Sequence, residues 1–182
     1  MMPGPLPLLA AFGAAGTWAA LFHVWSNSLT KGALFLSVGN IRRAAGARTI
    51  DEISGITPLT PQPAAIFVAG MFAITACPPF GPFFSVLRML RSGVETGHST
   101  AAGLFLGGLL FVFFGLTRLA FAIVDSRPRM VSMATVKRFP ETASVIVPPL
   151  VLLGLSLWLG LGTPPILQHA SDAAVQSLFS RP

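Results

Sequence analysis

The sequence predicts an all-α fold, a polytopic bundle of transmembrane helices in which one helix is discontinuous. The first observation is the composition, with 53% hydrophobic residues, only 10% charged residues and a mean hydropathy of +0.73. A soluble domain carries roughly 25% charged residues, because water must wet its surface. The second observation is a series of apolar stretches close to the length of about 20 residues that a bilayer-spanning helix needs. The third is a group of helix-breaking residues inside one of these stretches.

We predict the first span at residues 17–40. The apolar region from Leu6 to Ile41 is longer than a single span, which needs about 20 residues. The Gly-Ala-Ala-Gly stretch at 13–16 is the expected break, and a short apolar lead-in precedes it. A secretory signal peptide is not expected, since no lysine or arginine precedes the apolar run.

The second span is predicted at residues 64–91, broken at 78–82. Four helix breakers fall within five residues there, and no regular helix accommodates such a group. They are Pro78, Pro79, Gly81 and Pro82. We therefore expect two helical pieces, at 64–77 and 83–91. Their non-helical link should be buried in protein or line a wet cavity.

Two further spans and a tail complete one membrane domain over residues 1–182. The third span is predicted at 101–124 and the fourth at 143–161, although two prolines lie near the start of the fourth. The tail at 164–180 is weakly amphipathic and is predicted to lie at the membrane interface. Its apolar side consists of Ile166, Ala170, Ala173, Ala174, Leu178 and Phe179.

The basic residues predict the topology of the bundle. The net charge of +6 does not indicate nucleic-acid binding, because these residues form short clusters between apolar runs. If the broken helix crosses once, loops 42–61 and 125–142 share the cytoplasmic side, with seven basic residues. These are Arg42, Arg43, Arg48, Arg127, Arg129, Lys137 and Arg138. The other side then has at most Arg88, Arg91 and Arg181. Two crossings would largely remove this asymmetry.

The sequence contains no pattern of catalytic, metal-binding or cofactor-binding residues. The single cysteine, Cys77, excludes a disulfide within the chain and a multi-cysteine metal site. The three histidines, His23, His98 and His169, are far apart and lack ligand spacing. No phosphate loop, nucleotide fingerprint or catalytic triad pattern is present. We therefore predict no cofactor in this chain, and any enzymatic activity would belong to a complex.

The residues that could carry chemistry lie on the first span. His23, Asn27 and Lys31 are spaced i, i+4, i+8, which predicts one helical face, and Ser26 and Thr30 lie beside it. A charge near the bilayer centre costs about 2.5–3.5 kcal/mol, so we expect Lys31 to be buried in protein. Because burial disfavours the charged form of a lysine, the stripe could relay protons. In the alternative interpretation, Lys31 pairs with a carboxylate of a neighbouring chain and His23 is structural.

Arg118 is the second charge inside an apolar span, and it lies nearer one end of that span. A snorkelling side chain or an ion pair is expected there, and direct ion handling is the alternative. Asp125, at the end of the same span, is expected to be an interfacial anchor.

The first span and the broken helix resemble the antiporter-like subunits of respiratory complex I (NADH dehydrogenase), Mrp-type cation/proton antiporters and membrane-bound hydrogenases. Residues 22–36 are similar to their lysine-centred helix, and residues 77–85 to their Pro-Pro-Phe break. The chain most resembles hydrogenase-4 component F of formate hydrogenlyase-like complexes, in Asn-Ser-Leu-Thr-Lys at 27–31, Pro-Pro-Phe-Gly-Pro-Phe at 78–83 and Phe-Gly-Leu at 114–116. The resemblance covers nearly the whole chain, but only the C-terminal part of a longer family member.

The resemblance implies proton or cation translocation, coupled to redox chemistry in other membrane subunits of a bacterial inner membrane. By this analogy Lys31 is the protonatable lysine and His23 is its partner along the helix. The chain departs from the family at Asn27, where a second histidine is usual, and at Val86, where a glutamate or lysine is usual. The N-terminal half of a family member is absent, so we do not expect a complete pathway from this chain alone.

Three hypotheses follow. The first is a truncated or split antiporter-like subunit that contributes part of a proton path within a larger complex. The second is a structural or assembly subunit that has lost translocation, which the residues at Asn27 and Val86 favour. The third is a small independent cation/proton transporter, and the absence of an internal repeat makes it the weakest of the three.

Overall fold

Six helices and no strands form the part of the chain that the structure describes, which is residues 13–45, 60–124 and 142–179 of a computed structural model. The helices are α1 (Gly13–Ala45), α2 (Pro61–Ile74), α3 (Gly81–Glu95), α4 (Ser99–Val124), α5 (Ala143–Leu161) and α6 (Pro165–Phe179). The predicted all-α fold is confirmed for these residues. The topology stays a prediction, because most of the basic residues on which it rests lie outside the described residues. Those outside are Arg48, Arg127, Arg129, Lys137, Arg138 and Arg181, and Asp125 lies outside as well.

Helix α1 is the centre of the bundle and contacts α2, α3, α5 and α6. Its 33 residues make it about 50 Å long. The helix begins at Gly13, four residues before the predicted start of the first span at residue 17. Alanine is the strongest helix former and fills this stretch, which outweighs the two flanking glycines. Gly13 itself has φ +70°, a left-handed conformation that glycine adopts without strain.

One face of α1 is buried along most of its length. Its members recur every three or four residues, as expected for a helical face in contact with neighbouring helices. They are Phe22, Ser26, Thr30, Ala33, Ser37 and Ile41. Four of the six are small, which lets neighbouring backbones approach closely. The opposite side exposes large apolar residues, such as Val24 and Phe35.

Two apolar clusters hold the neighbouring helices against α1. The first joins α1, α2 and α4, and the second joins α1, α2 and α5. The first consists of Ile41, Phe67, Met71 and Ala120, and the second of Ala33, Ala73 and Leu153. Burying a side chain such as that of Phe67 stabilises the fold by roughly 1.5–3 kcal/mol.

The prolines and glycine at 78–82 link α2 to α3. Helix α2 ends at Ile74 and α3 begins at Gly81, so Pro78 and Pro79 lie outside both helices. Pro82 occupies the first turn of α3, where the missing N–H leaves no hydrogen bond unmade. The Pro78–Pro79 peptide bond is cis.

This link is packed between α1 and α5. A Cβ atom added at Gly81 would lie 2.7 Å from Cβ of Ser26 on α1. A Cβ atom added at Gly160 on α5 would overlap the carbonyl oxygen of Pro79. The link is therefore buried against α1 and α5 only at its end, at Gly81, whereas Pro78 and Pro79 are exposed on this chain.

Two of the described helices are long and apolar enough to cross a membrane, at Ser99–Ala122 and Ala143–Leu161, and α2 is apolar but shorter. The backbone of helix α4 approaches only those of α2 and α3. Its free side presents large apolar side chains, among them Phe111, which is 82% exposed. A surface of this kind suits lipid rather than water.

Helix α6 contacts α1, and most of its predicted apolar side stays exposed. Ser171 is buried, whereas Ile166 and Leu178, on the predicted apolar side, are exposed. This arrangement leaves apolar side chains free for the hydrocarbon edge of a bilayer.

Candidate functional site

The candidate site is a file of polar side chains where α1 meets α3 and α5. The predicted relay residues on α1 cover a little more than two helical turns, from His23 to Lys31. The structure gives partners from other helices to two of the five, His23 and Thr30. It leaves Lys31 on the outside of the chain.

His23 is joined to α3 through Ser85. The imidazole Nδ1 lies 2.7 Å from the hydroxyl oxygen of Ser85. The Ser85 hydroxyl donates its one proton to the carbonyl oxygen of Pro82 at 2.7 Å. Ser85 must therefore accept from His23, which fixes the proton of a neutral imidazole on Nδ1 and leaves Nε2 as an acceptor. A half-buried histidine with one free acceptor can bind a proton and pass it on.

The file continues along α1 through Ser26 and Thr30, both fully buried. The Ser26 hydroxyl donates to the His23 carbonyl oxygen at 3.3 Å, and the Thr30 hydroxyl donates to the Ser26 carbonyl oxygen at 3.0 Å. Thr30 Oγ1 also lies 2.8 Å from Oγ of Ser156 on α5. Because the Thr30 proton is already donated, Ser156 is the donor of this bond.

Sequence reasoning missed Ser85 and Ser156. Ser85 lies in the first turn or so of α3, directly after the helix break. This position is the only feature of the sequence that could have indicated a functional role for Ser85. Ser156 is flanked by leucines in an apolar helix, and a serine there usually bonds to a carbonyl of its own helix. Neither pairing could be read locally, because the partners lie 62 and 126 residues away along the chain.

The described residues of this chain do not bury Lys31, so its expected burial in protein stays a prediction. Lys31 is exposed and Asn27 is half-buried. Each step of four residues turns the helix by about 40°, so Lys31 points about 80° away from His23. The acidic residues of the described chain, Glu95 and Asp172, line a cavity beside Trp18, about 20 Å along the α1 axis from Lys31. No carboxylate of the described residues therefore neutralises Lys31.

Arg118 does not join the relay. It is an exposed residue of α4, a helix whose backbone does not approach that of α1. No carboxylate among the described residues forms an ion pair with it. The expected snorkelling or ion pairing of Arg118 stays a prediction, and Asp125, the nearest acid in sequence, lies outside the described residues.

Val86 is buried beside an apolar cavity of about 280 Å³ between α3 and α4. Cys77 and Phe113 also line this cavity. The position at which the resemblance implies a titratable group therefore faces apolar side chains in this chain. Within the described ranges, no group of three or more His, Cys, Asp or Glu side chains could hold a metal ion.

Comparison with known proteins identifies related sequences. Residues 7–113 match the family described as NADH:quinone oxidoreductase/Mrp antiporter, TM. The chain is 27% identical over 171 residues to a Na(+)/H(+) antiporter subunit of Bacillus subtilis (strain 168), covering 88% of this chain and 21% of that protein. It is 35% identical over 95 residues to a hydrogenase-4 component F homolog of Methylacidiphilum infernorum (isolate V4), covering 52% of this chain and 20% of that protein.

A solved structure shares the fold. A chain of the Mrp complex from Dietzia sp. DQ12-45-1b superposes with a TM-score of 0.74 at 22% identity, covering 93% of this chain and 39% of that chain. The present chain thus spans about a fifth of the length of the two sequence relatives. The family match includes more than half of the 182 residues, and the resemblance inferred from the sequence is confirmed. The chain therefore belongs to the family of antiporter-like membrane subunits that NADH:quinone oxidoreductases and Mrp antiporters share.

Proposed function

We propose that this chain is a proton- or cation-translocating subunit of a redox-driven membrane complex, such as a membrane-bound hydrogenase or an NADH dehydrogenase-like complex. The observation that carries the proposal is the polar file from Ser85 through His23, Ser26 and Thr30 to Ser156. Side-chain hydrogen bonds join Ser85 to His23 at 2.7 Å and Thr30 to Ser156 at 2.8 Å. Between these two pairs the hydroxyls of α1 donate to main-chain carbonyl oxygens, so proton transfer between the pairs needs bridging water. Polar groups in an otherwise apolar bundle cost free energy, and they are typically functional when they face the bundle interior.

The file supplies hydrogen-bonding groups, and the resemblance to antiporter-like subunits implies that Lys31 is the protonatable residue. His23 stands two helical turns from Lys31, with Asn27 between them. Asn27 cannot titrate, but its amide can orient a water molecule that bridges the two. The proton-relay role of His23, Ser26, Asn27, Thr30 and Lys31 is thus part of the proposal.

The exposure of Lys31 indicates that the pathway requires a second polypeptide segment. A lysine near the middle of a membrane helix is rarely left against lipid, because its charge needs a polar partner or water. The relatives are several times longer than this chain. We propose that a segment from another part of the assembly covers Lys31 and completes a path that the present residues contain only in part.

We further propose one membrane domain over residues 1–182, with spans at 17–40, 64–91, 101–124 and 143–161, in a bacterial inner membrane. Both sequence relatives described above are bacterial proteins. One carries the name of a Na(+)/H(+) antiporter component, whereas the other is named as a hydrogenase-4 component homolog. An Mrp-type antiporter complex is therefore the alternative assembly for the same translocating role.

A second candidate function is that of a non-translocating structural subunit. The observation that favours it is the apolar environment of Val86, where no proton can be held. An independent small transporter is a third possibility. We place it last, because the outward-facing Lys31 requires a covering partner.

The Lys31→Ala variant separates translocation from scaffolding. In vesicles that contain the native assembly, we expect it to abolish or strongly reduce coupled proton transfer while the assembly stays intact on a native gel. The matched control is Lys137→Ala, which changes the other lysine of the chain, outside the predicted spans. Normal proton transfer by the Lys31→Ala variant would contradict the relay proposal. Loss of assembly would favour the structural subunit.

The identity of the assembly is tested by gentle extraction from the native membrane, followed by mass spectrometry of the proteins that co-migrate. We expect iron–sulfur or nickel–iron subunits and other antiporter-like chains. Co-migration with antiporter components alone would replace the redox-driven complex with an Mrp-type complex. A chain that migrates alone would contradict both.

A further inference from the structure

A cavity of about 430 Å³ opens at the end of the bundle where α1 begins and α3 ends. Helix α6 forms its remaining wall. The charged side chains that line it are Arg88, Arg91, Glu95 and Asp172, so their formal charges sum to zero. This cavity lies outside the polar file described above.

Two of these charges neutralise each other and two do not. Nε of Arg91 donates to Oε1 of Glu95 at 2.7 Å. No ion pair within 4.0 Å joins Arg88 to Asp172 or to any other carboxylate of the described chain. The cavity therefore presents one uncompensated guanidinium and one uncompensated carboxylate on different walls.

The position of Arg88 is fixed by aromatic contacts. Its guanidinium carbon lies 4.6 Å from the centroid of the Trp18 ring and 5.9 Å from that of Phe22. Such contacts hold the guanidinium plane and leave its N–H donors available at the edge.

The cavity has the features of a membrane interface. Tryptophan and arginine side chains are typical of this zone, where an apolar body meets polar headgroups. Apolar side chains are exposed nearby, including Val94 one residue before Glu95 and Ile166 on α6. A molecule that places a polar head in the cavity can lay hydrocarbon chains along these residues.

We propose that this cavity binds the headgroup of a zwitterionic phospholipid that carries a primary ammonium, namely phosphatidylethanolamine. The phosphate accepts hydrogen bonds from Arg88, and the ammonium donates to Asp172. The headgroup thereby neutralises both uncompensated charges at once. An anionic headgroup would leave Asp172 unpaired and would face Glu95 as well. A choline headgroup has no N–H to donate to Asp172.

The test is native mass spectrometry of the full chain, released from micelles that contain equal amounts of phosphatidylethanolamine, phosphatidylcholine and phosphatidylglycerol. We expect preferential retention of phosphatidylethanolamine. Arg88→Gln and Asp172→Asn should each reduce this retention about tenfold, because each removes one charge-assisted hydrogen bond. The matched control, Arg42→Gln, changes an exposed arginine at the opposite end of α1 and should retain the lipid.

A volume variant tests the cavity without changing its charge. Ala15 lines the cavity and is exposed, so Ala15→Leu should fill part of it and reduce retention while the helix is maintained. Equal retention of the three lipids overturns the proposal. Preference for phosphatidylglycerol, or retention that Asp172→Asn does not change, overturns it too. Soluble phosphoethanolamine added in excess should not displace the lipid, and displacement would assign the site to a free metabolite.

Discussion

The side-chain amide of Asn40 donates a hydrogen bond to the main-chain carbonyl oxygen of Val145, at 2.8 Å. Val145 precedes Pro149 by four residues within α5. In a regular helix this carbonyl would accept from the N–H of residue 149, which proline lacks. Asn40 on α1 replaces that missing donor. This hydrogen bond thus supplies the donor that the Val145 carbonyl lacks, and it joins α5 to the central helix α1.

We therefore expect Asn40→Ala to destabilise the bundle by about 1 kcal/mol, because it leaves a partly buried carbonyl without a donor. Unfolding by denaturant in detergent micelles would measure the difference. In a Pro149→Ala background the helix supplies its own N–H, so the effect of Asn40→Ala should shrink. Equal effects in both backgrounds would show that Asn40 acts through something other than this carbonyl.

Ser85→Ala should slow proton transfer while leaving assembly unchanged. The substitution removes the acceptor of the His23 Nδ1 proton, and we expect roughly a tenfold loss, since an unpartnered buried group costs about 1–3 kcal/mol. Ser37→Ala is the matched control, because Ser37 is also fully buried but bonds only to the Ala33 carbonyl of its own helix. Initial rates of proton uptake by vesicles should separate the two variants. Identical rates would remove Ser85 from the relay.

Gly160→Ala should destabilise the bundle by about 1–3 kcal/mol, because the added Cβ has no room beside the carbonyl oxygen of Pro79. Gly154→Ala serves as the control on the same helix, since nothing lies within 4 Å of the position of its Cβ. Removing a helical glycine at an open position should stabilise α5 by up to about 1 kcal/mol. Thermal unfolding of the two variants should therefore shift in opposite directions. Shifts of the same sign would contradict the close packing of the link.

A photo-crosslinking phenylalanine analogue at Phe35 should capture another protein segment of the assembly. Phe35 is 75% exposed, one helical turn after Lys31, on the side that we propose is covered. The same analogue at Phe22, which is buried within this chain, should yield no adduct with a neighbouring chain. Gel electrophoresis of irradiated native membranes would show the adducts. Lipid adducts alone at Phe35 would contradict a covering partner at Lys31.

The helices are predictable from the sequence because their signals are local. The lengths of the apolar stretches predict α4 and α5. The group of three prolines and a glycine at 78–82 predicts the separation of α2 from α3. The start of α1 is not predictable in this way, since glycines at 13 and 16 indicate a break only where tertiary contacts and alanine propensity do not override them.

The candidate site is predictable only on one helix. Spacing identifies His23 and Thr30, but the rotation of α1 against its neighbours decides which residues face inward. That rotation depends on contacts with α3 and α5, remote in sequence. The sequence therefore does not predict that Lys31 is exposed on this chain, nor that Ser85 and Ser156 pair with α1.

The fit of the link between Gly81 and Gly160 also constrains how the protein can move. A broken helix is often regarded as a hinge, yet here its backbone is clamped by α1 on one side and α5 on the other. Swinging α3 relative to α5 would require these contacts to open, and close-packed interiors resist continuous deformation. We expect α1, α3 and α5 to move as one rigid unit. Access of protons to the polar file would then be controlled by side-chain rotamers and by water, and not by tilting of the helices.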